Sequence, residues 1–385
     1  AADYYDRRQH IQKIFLNSLY GVLGLPIFRF FDIDNASAVT TTGQTVIKQS
    51  EQIVNEFYEA AGAPLRTKTD VQRHNDVLAT EAKKKKKPQT MFAHQADWCI
   101  YIDTDSLYIS AAPLQHKCDE AGLSELDFTI KLATLLETKL NTYYDDMALD
   151  LFNCTNHRFH IKGENVAKTA IWIAKKRYAM LRVYDLEKKT AIDNKMKATG
   201  LDIVRSQFPI VFKTYMEEFI YDILDGMSKK EVDDKMMNFY NELKNSEYRM
   251  VARNSAANGI RKYTIDDAPF GKYAKSAPMH IKACINYNKL LNHYGLDTTY
   301  PPIGDGEKIK YVMLKNNPFR IEHSAFKDDG DPPQIKEFLA LYCDNSKMFD
   351  VELKKKLEGF YNALSWGVLP TDAVVDADLL KLFGE

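Results

Sequence analysis

The 385-residue sequence predicts an α+β protein, with antiparallel strands and packed helices in its first half and mostly helices in its second. Three observations carry this. Cys99–Ile102 and Leu107–Ser110 are β-type runs on either side of a short polar turn, the pattern of a hairpin. Strand-rich sequence runs from Arg158 to Asp185, and after Lys175 the residues Lys176, Tyr178, Met180 and Arg182 recur with period two. From Ser206 onward the period is helical and punctuated by capping residues.

Taken in order, Tyr4, Ile11, Phe15, Leu19 and Val22 recur at helical spacing, so residues 3–23 read as a helix weakened by Gly21 and stopped by Gly24 and Pro26. Phe28 to Phe31 reads as a short strand, and Ala36 to Ala61 as a second helix ended by Gly62 and Pro64. Residues 64–97 hold few large apolar groups and contain Arg66, Lys68, Arg73 and the run Lys83 to Lys87 before Pro88. Such a polar insertion is expected to be a mobile, solvated loop; the sharper alternative is an arm whose clustered lysines neutralise nucleic-acid phosphates. After the hairpin, residues 127–147 form a helix with Leu132, Leu135, Leu136, Leu140, Tyr143 and Met147 on one face. Pro209 suits the first turn of a later helix and Gly226 the position past its end. Ser228 with Glu231 is a capping box opening the next helix, which carries Val232, Met236, Phe239 and Leu243.

Bulk composition narrows the class. A net charge of −1 means that any nucleic-acid role must rest on local basic patches. The five cysteines are odd in number, scattered and without CxxC spacing, which argues against a disulfide scaffold and for a reducing, intracellular setting. No stretch approaches the ~18 apolar residues of a membrane span, and no signal-peptide layout is present. The chain opens on Ala1-Ala2 and runs straight into a helix, the look of a fragment, a processed product or one half of a split protein.

The chemistry concentrates in the turn Asp103-Thr104-Asp105-Ser106. Two acids flanking one residue at a tight hairpin can present both carboxylates to one side. That concentrated charge suits a hard divalent cation with oxygen ligands, and magnesium fits. A DxD turn by itself is more often a polar β-turn whose aspartates make local hydrogen bonds. On the first helix Lys13, Asn17 and Tyr20 stand at i, i+4 and i+7 and share a face.

Together these residues carry a resemblance. Tyr101-Ile102-Asp103-Thr104-Asp105-Ser106-Leu107-Tyr108 resembles the catalytic hairpin of family B DNA polymerases, and Lys13-Ile14-Phe15-Leu16-Asn17-Ser18-Leu19-Tyr20-Gly21 resembles the Kx3NSxYG fingers helix of that family, in the family's order. Lys175-Lys176-Arg177-Tyr178 looks like the primer-template KKRY strand. Lys195-Met196-Lys197, Gly200-Leu201, Ser255-Ala256-Ala257-Asn258, Tyr263, Gly306-Glu307-Lys308 and Asn317-Pro318-Phe319 continue the likeness across nearly the whole chain. It is greatest to polymerases of large tailed bacteriophages, which would place the chain in the cytoplasm of an infected host cell.

The resemblance implies an antiparallel palm sheet with packed helices and then a mostly helical thumb. Residues 1–63 would be the fingers-derived helix and start of the palm, 64–97 the lysine-rich insertion, 98–206 the palm, 207–370 the thumb and 371–385 a tail. It implies Asp105 as a direct metal ligand and Asp103 as a weaker one in a two-magnesium site. Lys13, Asn17, Ser18 and Tyr20 would meet the incoming deoxynucleoside triphosphate. Lys175, Lys176, Arg177, Tyr178, Lys197, Arg205, Lys262 and Lys275 would meet primer-template DNA. Glu164 could approach the metal site from a neighbouring strand or stand as a surface residue. Leu379, Leu380, Leu382 and Phe383 resemble a sliding-clamp peptide, with a helix docking on the thumb as the alternative. The family also needs a palm aspartate in a DxxSLYPS-like setting, and no such segment is found here. The expected function is therefore the C-terminal portion of a DNA-directed DNA polymerase working with an N-terminal part. The alternatives are a non-catalytic DNA-binding and clamp-recruiting module, and an unrelated metal-dependent nucleotidyl transferase, which would leave the fingers-helix motif unexplained.

Overall fold

The computed structural model describes residues 2–84, 86, 94–327 and 330–372. The chain forms two compact units, residues 1–166 with 186–189, and residues 167–185 with 190–385.

In the N-terminal unit, α1 (Ala2–Leu23) passes through Gly21 without a break. The segment expected as a strand, Phe28 to Phe31, is instead a succession of turns: the Phe28 amide bonds the Leu25 carbonyl (2.9 Å) and the Phe31 amide bonds the Phe28 carbonyl (3.0 Å). Apolar content suggested β there, but Pro26 and the local turn bonds leave the backbone to satisfy itself within the segment. α2 (Ile33–Ala60) begins three residues earlier than expected, because the Asp32 side chain accepts the Asn35 amide as an N-cap. α3 (Lys68–Lys84) occupies much of the stretch read as loop. Its start signal was Thr67-x-x-Asp70, whose hydroxyl accepts the Asp70 amide (3.1 Å), and its Ala, Glu and Lys content favours helix without a large apolar face.

β1 (Cys99–Asp103) and β2 (Ser106–Ile109) pair antiparallel as a two-stranded sheet, with Asp103 opposite Ser106 and Tyr101 opposite Tyr108. After α4 (Gln115–Ala121), α5 (Glu125–Phe152) starts on a Ser124 N-cap and ends on left-handed Asn153. Leu132, Leu136, Leu140, Tyr144 and Met147 of α5 pack with Val54 and Tyr58 of α2 and with Trp98 in one core, whereas Leu135, expected on that face, is exposed. Each fully buried side chain of this kind contributes about 1.5–3 kcal/mol.

The C-terminal unit opens within β3 (Asn165–Ala174), at Ala167, and continues with β4 (Arg177–Asp185) and β5 (Thr190–Thr199), in the order β3-β4-β5. α6 (Ile210–Asp225) starts on Pro209 and stops on left-handed Gly226. α7 (Lys229–Lys244) opens on the expected Ser228–Glu231 capping box. Then come α8 (Tyr248–Val251), β6 (Arg253–Ala256), α9 (Ile260–Tyr263), α10 (Met279–His293), β7 (Lys308–Met313) and β8 (His323–Phe326), the three strands forming an antiparallel sheet β6-β7-β8. α11 (Pro333–Tyr342) and α12 (Asn345–Phe349) follow, and a π-helical turn over Asp350–Lys354 leads into α13 (Lys355–Leu364). One core joins these elements: Phe212, Phe219, Ile281, Tyr287, Phe326, Leu339, Phe349 and Phe360 meet Ala179 and Leu181 of β4. The α+β expectation is met, with the strands of the described residues distributed over three small antiparallel sheets. No helix is long and apolar enough to cross a membrane among the described residues.

Candidate polymerase site

The DTDS hairpin is held at both feet by α2. The Asn55 side chain accepts the Trp98 amide (2.9 Å) just before β1, and the Tyr58 hydroxyl donates to the Ser110 carbonyl (2.7 Å) just after β2. Trp98 stacks on Tyr58 at 6.0 Å, and its indole N–H reaches the Pro64 carbonyl (3.1 Å). Tyr58 and Cys99 are deeply buried, and desolvation raises both above their ordinary pKa values, so each stays protonated and packs as a neutral group.

From these feet the side chains sort by strand alternation. Leu107 packs toward the core and pairs with Ile102, while Tyr101, Asp103, Ser106 and Tyr108 share the other face. The Tyr101 and Tyr108 rings lie 5.6 Å apart below Asp103. Asp103 is half-buried in the ladder, and Thr104 and Asp105 form the exposed tip. Thr104 takes a left-handed φ of 58°, unfavourable for a β-branched residue. Its hydroxyl donates to Asp103 Oδ1 (3.2 Å), and the Ser106 hydroxyl donates to Asp105 Oδ1 (3.4 Å). Oxygen donors on a solvent-facing tip fit a hard divalent cation. Among the described residues no group of three His, Cys, Asp or Glu side chains is placed to hold a metal ion. Glu164 lies exposed just ahead of β3, and its carbonyl accepts the Leu186 amide (2.9 Å).

On α1, Lys13, Asn17 and Tyr20 are exposed on a common face. Ser18 has a local role as well, since its hydroxyl donates to the Ile14 carbonyl (2.8 Å).

In the C-terminal unit, Lys175 and Lys176 are the two-residue turn between β3 and β4, and Arg177 and Tyr178 begin β4. Lys176 is left-handed (φ 60°). The expected alternation along β4 is overridden by burial on both faces: Tyr178, Ala179, Met180 and Leu181 are all buried, and Tyr178 stacks on Trp172 at 6.0 Å. Pairing with β5 places Lys197 opposite Met180 and Lys195 opposite Arg182, so the two basic motifs become one two-stranded surface. Gly200, at φ 65°, fixes the end of this surface, because a Cβ there would sit 1.9 Å from the Lys176 carbonyl oxygen. Asp202 gathers two nearby cations, Arg177 (3.6 Å) and Arg205 (3.2 Å).

The later motifs are also joined. Ser255 pairs with Ile309 and Ala256 with Lys308, and the Ala257 amide bonds the Glu307 carbonyl (2.8 Å). Asn317 is a turn staple, donating to the carbonyls of Lys315 (2.8 Å) and Ile321 (2.7 Å). Lys262 lies over the Tyr263 ring at 5.3 Å, and Lys275 is exposed in a turn. Leu379, Leu380, Leu382 and Phe383 lie outside the described residues.

Sequence reasoning missed Gly200 as the partner of the Lys176 turn, and it missed Asp202 as an ionic anchor. The first had a signal, a glycine at the end of a strand. It also missed the Arg253–Glu352 pair, in which Arg253 Nη1 lies 2.9 Å from both oxygens of a carboxylate only 2% exposed. Nothing local in the lysine-rich stretch around Glu352 marks it as buried.

Comparison of the sequence with known proteins finds polymerase relatives. The chain is 27% identical over 374 residues to the DNA-directed DNA polymerase of Enterobacteria phage T4, covering 93% of this chain and 37% of that protein. It is 28% identical over 367 residues to the DNA-directed DNA polymerase of Escherichia phage RB69, covering 91% of this chain and 36% of that one. It is 23% identical over 239 residues to the DNA polymerase alpha catalytic subunit of Xenopus laevis, covering 62% of this chain and 12% of that subunit. The chain thus spans little more than a third of the phage relatives' length. A model of the DNA polymerase family B matches residues 1–329, and with the hairpin, the helix motif and the basic turn all in place, the chain belongs to that family.

Proposed function

We propose that this chain is the C-terminal portion of a DNA-directed DNA polymerase that adds deoxynucleotides to a primer 3′-hydroxyl in the cytoplasm of an infected cell. The observation that carries the reading is the DTDS tip, exposed on a hairpin whose feet are tied to α2. Asp105 and Asp103 would hold magnesium. When bound, the metal would supply charge neutralisation at the triphosphate and activation of the hydroxyl. Asp103, paired with Ser106 in the ladder, is half-buried, and Asp105, at the exposed tip, is open to a ligand set completed by another polypeptide segment. That segment is the N-terminal polymerase part, which would supply the other palm aspartate.

Lys13 would meet the triphosphate as a point charge, with Asn17 and Tyr20 beside it on the same face of α1 and Ser18 completing the motif. Lys175, Lys176, Arg177, Tyr178 and Lys197 would meet the duplex backbone, with Lys262 and Lys275 extending the basic track. Such contacts hold DNA without reading its sequence. The tail at 379–385 would engage a sliding clamp.

Primer extension by this chain supplied with an N-terminal family B polymerase part tests the reading. Activity should require both parts and magnesium, and Asp105→Ala should abolish it while leaving DNA binding in place. DNA binding that persists with no extension under any pairing would refute catalysis and leave a DNA-binding module. Deleting residues 379–385 should lower clamp-dependent processivity and spare clamp-free extension. Loss of both together would make the tail structural.

A further inference from the structure

The polar stretch between α2 and β1 leaves and rejoins the N-terminal unit through a closed neck at the base of the DTDS hairpin. The Arg66 amide bonds the Gln95 carbonyl (2.9 Å), and the Gln95 side chain donates to the Arg66 carbonyl (3.0 Å). Nearer the hairpin, the Trp98 indole N–H donates to the Pro64 carbonyl (3.1 Å), and Trp98 runs directly into β1. α3 stands on this neck, with Arg66 Nη1 3.5 Å from His74 Nδ1. No described residue of α3 belongs to either hydrophobic core, so the helix is held by its base and leaves its surface to a partner.

The charge of that surface is graded. Within α3, Lys68 and Arg73 are offset by Asp70, Asp76 and Glu81. From Ala82 to Ala96 the sequence holds five lysines and no acid; taking those five from the net charge of −1 leaves −6 on the rest of the chain. Of these lysines, Lys83 is exposed in the last turn of α3 and Lys86 is exposed in the turn that follows, its amide bonded to the Lys83 carbonyl (3.0 Å). Lys86 takes a left-handed φ of 52°, a place usually filled by glycine or asparagine. The helix dipole rewards cations in a last turn but fades beyond it, so it accounts for Lys83 and not for Lys86.

We propose that α3 is an arm whose lysine end, Lys83 and Lys86, binds the phosphodiester backbone of the DNA on which the hairpin acts, an inference that rests on the polymerase reading above. Charge selects that ligand: ammonium groups meet phosphates as point charges, without reading sequence. Connection places it within reach. β1 is about 17 Å long and α3 about 25 Å, and both start from the neck, so Asp103 and Lys86 stay within roughly 50 Å of each other, the length of about fifteen base pairs. DNA engaged at the hairpin tip therefore offers phosphates to the arm.

Fluorescence anisotropy of the full chain on labelled duplex and labelled single-stranded DNA, across a salt series, tests the arm. Lys83→Gln/Lys86→Gln should weaken duplex binding at least about threefold at physiological salt and lower the salt slope by about 2. A loss on both probes supports contact with either form of backbone, and a loss on one alone assigns the arm to that form. Lys83→Arg/Lys86→Arg keeps the charge and should bind as wild type, and melting of the Gln variant should be unchanged because α3 adds nothing to the described cores. Lys131→Gln/Lys139→Gln, the same charge change on exposed positions of α5, should leave the slope as it is. An equal fall in that control reduces the effect to net charge and overturns the arm. Affinity and slope unchanged in Lys83→Gln/Lys86→Gln on both probes overturn the arm and spare the polymerase reading, whereas wild-type chain that binds neither probe overturns both. Unchanged DNA binding with weaker capture of an N-terminal family B polymerase part assigns the arm to a protein partner and overturns the proposal.

Discussion

Gly200→Ala should cost the C-terminal unit far more than an ordinary glycine substitution. Gly200 sits at φ 65°, and a Cβ there would lie 1.9 Å from the Lys176 carbonyl oxygen and 3.0 Å from its carbon. Gly226 is the internal control: it is also left-handed, at φ 95°, but a Cβ there would meet nothing within 4 Å. Left-handed backbone costs an L-residue about 1–2 kcal/mol, and the smaller unfolded-state entropy of alanine returns about 0.4–1 kcal/mol. Gly226→Ala should therefore lose about 1 kcal/mol. Gly200→Ala carries the same term plus a backbone shift of more than 1 Å at the Lys176 turn, and forced repacking of that kind adds about 1–3 kcal/mol. For a unit of this size about 2–4 °C accompanies each kcal/mol, so melting should fall by about 5–15 °C for Gly200→Ala and by about 2–4 °C for Gly226→Ala. Calorimetry on the two variants reads the difference directly. DNA affinity should fall with Gly200→Ala alone, because Lys176 and Arg177 move with the displaced carbonyl. If Gly200→Ala is no more destabilising than Gly226→Ala, the close packing of Gly200 on the basic turn is not a constraint and the argument fails.

Three other outcomes are expected. Arg253→Met should destabilise by about 2–4 kcal/mol in urea unfolding, because it strands the buried Glu352 carboxylate. Adding Glu352→Gln should recover most of that loss, and an equal loss in the double variant would count against the ion pair as the cause. Burial holds His323 at about 4, below its ordinary 6.5, so unfolded chain takes up the proton first and stability declines as pH falls from about 6.5 toward 4, by up to about 3 kcal/mol. His323→Gln should flatten that window in acid titrations followed by circular dichroism, and an unchanged slope would exclude His323 as its source. Thr104→Gly should relieve left-handed strain and leave the fold as stable or about 1 kcal/mol more so, yet lower primer extension by the assembled enzyme at least about tenfold as the Asp103 carboxylate loses its hydroxyl partner. Undiminished extension would show that the turn residue does not matter to the chemistry.

What was legible in the sequence was local. The hairpin announced itself because Tyr101, Ile102, Leu107 and Tyr108 bracket a polar turn. α6 and α7 did so through Pro209, Gly226 and the Ser228–Glu231 box. β5 was harder to see as a strand, since Thr190–Thr199 is largely polar and is held by its ladder with β4 more than by an apolar face of its own. α3 was missed for the complementary reason: it is helical by capping and propensity, with little apolar periodicity to detect. The candidate site divides the same way. Its motif residues could be named in advance, but the contacts by which other groups hold them could not. Asn55 and Tyr58 act on the hairpin from a separate helix, and Gly200 and Asp202 act on the basic turn from beyond the next strand.

The two motif turns share one construction. Each is a two-residue hairpin connection, and each contains a non-glycine residue in left-handed backbone, Thr104 at φ 58° and Lys176 at φ 60°. Other residues in the chain adopt this conformation, but Thr104 is the one β-branched residue among the described ones that does. Glycine would adopt either position without strain, so local preference argues against the residues present. Such strain persists only where the surroundings over-determine the turn. At Thr104 the surroundings are the two hydrogen bonds from α2 at the hairpin's feet and the Tyr101–Tyr108 pair below the tip. At Lys176 they are the cleft that Gly200 leaves open and the Asp202 carboxylate that draws in Arg177. In both turns the strained residue stands beside a group proposed for function, Asp103 and Asp105 for metal in one and Arg177 for DNA in the other. The physical economy is that a rigid base lets a short turn present charge at its tip, where a glycine in the turn would let that charge wander.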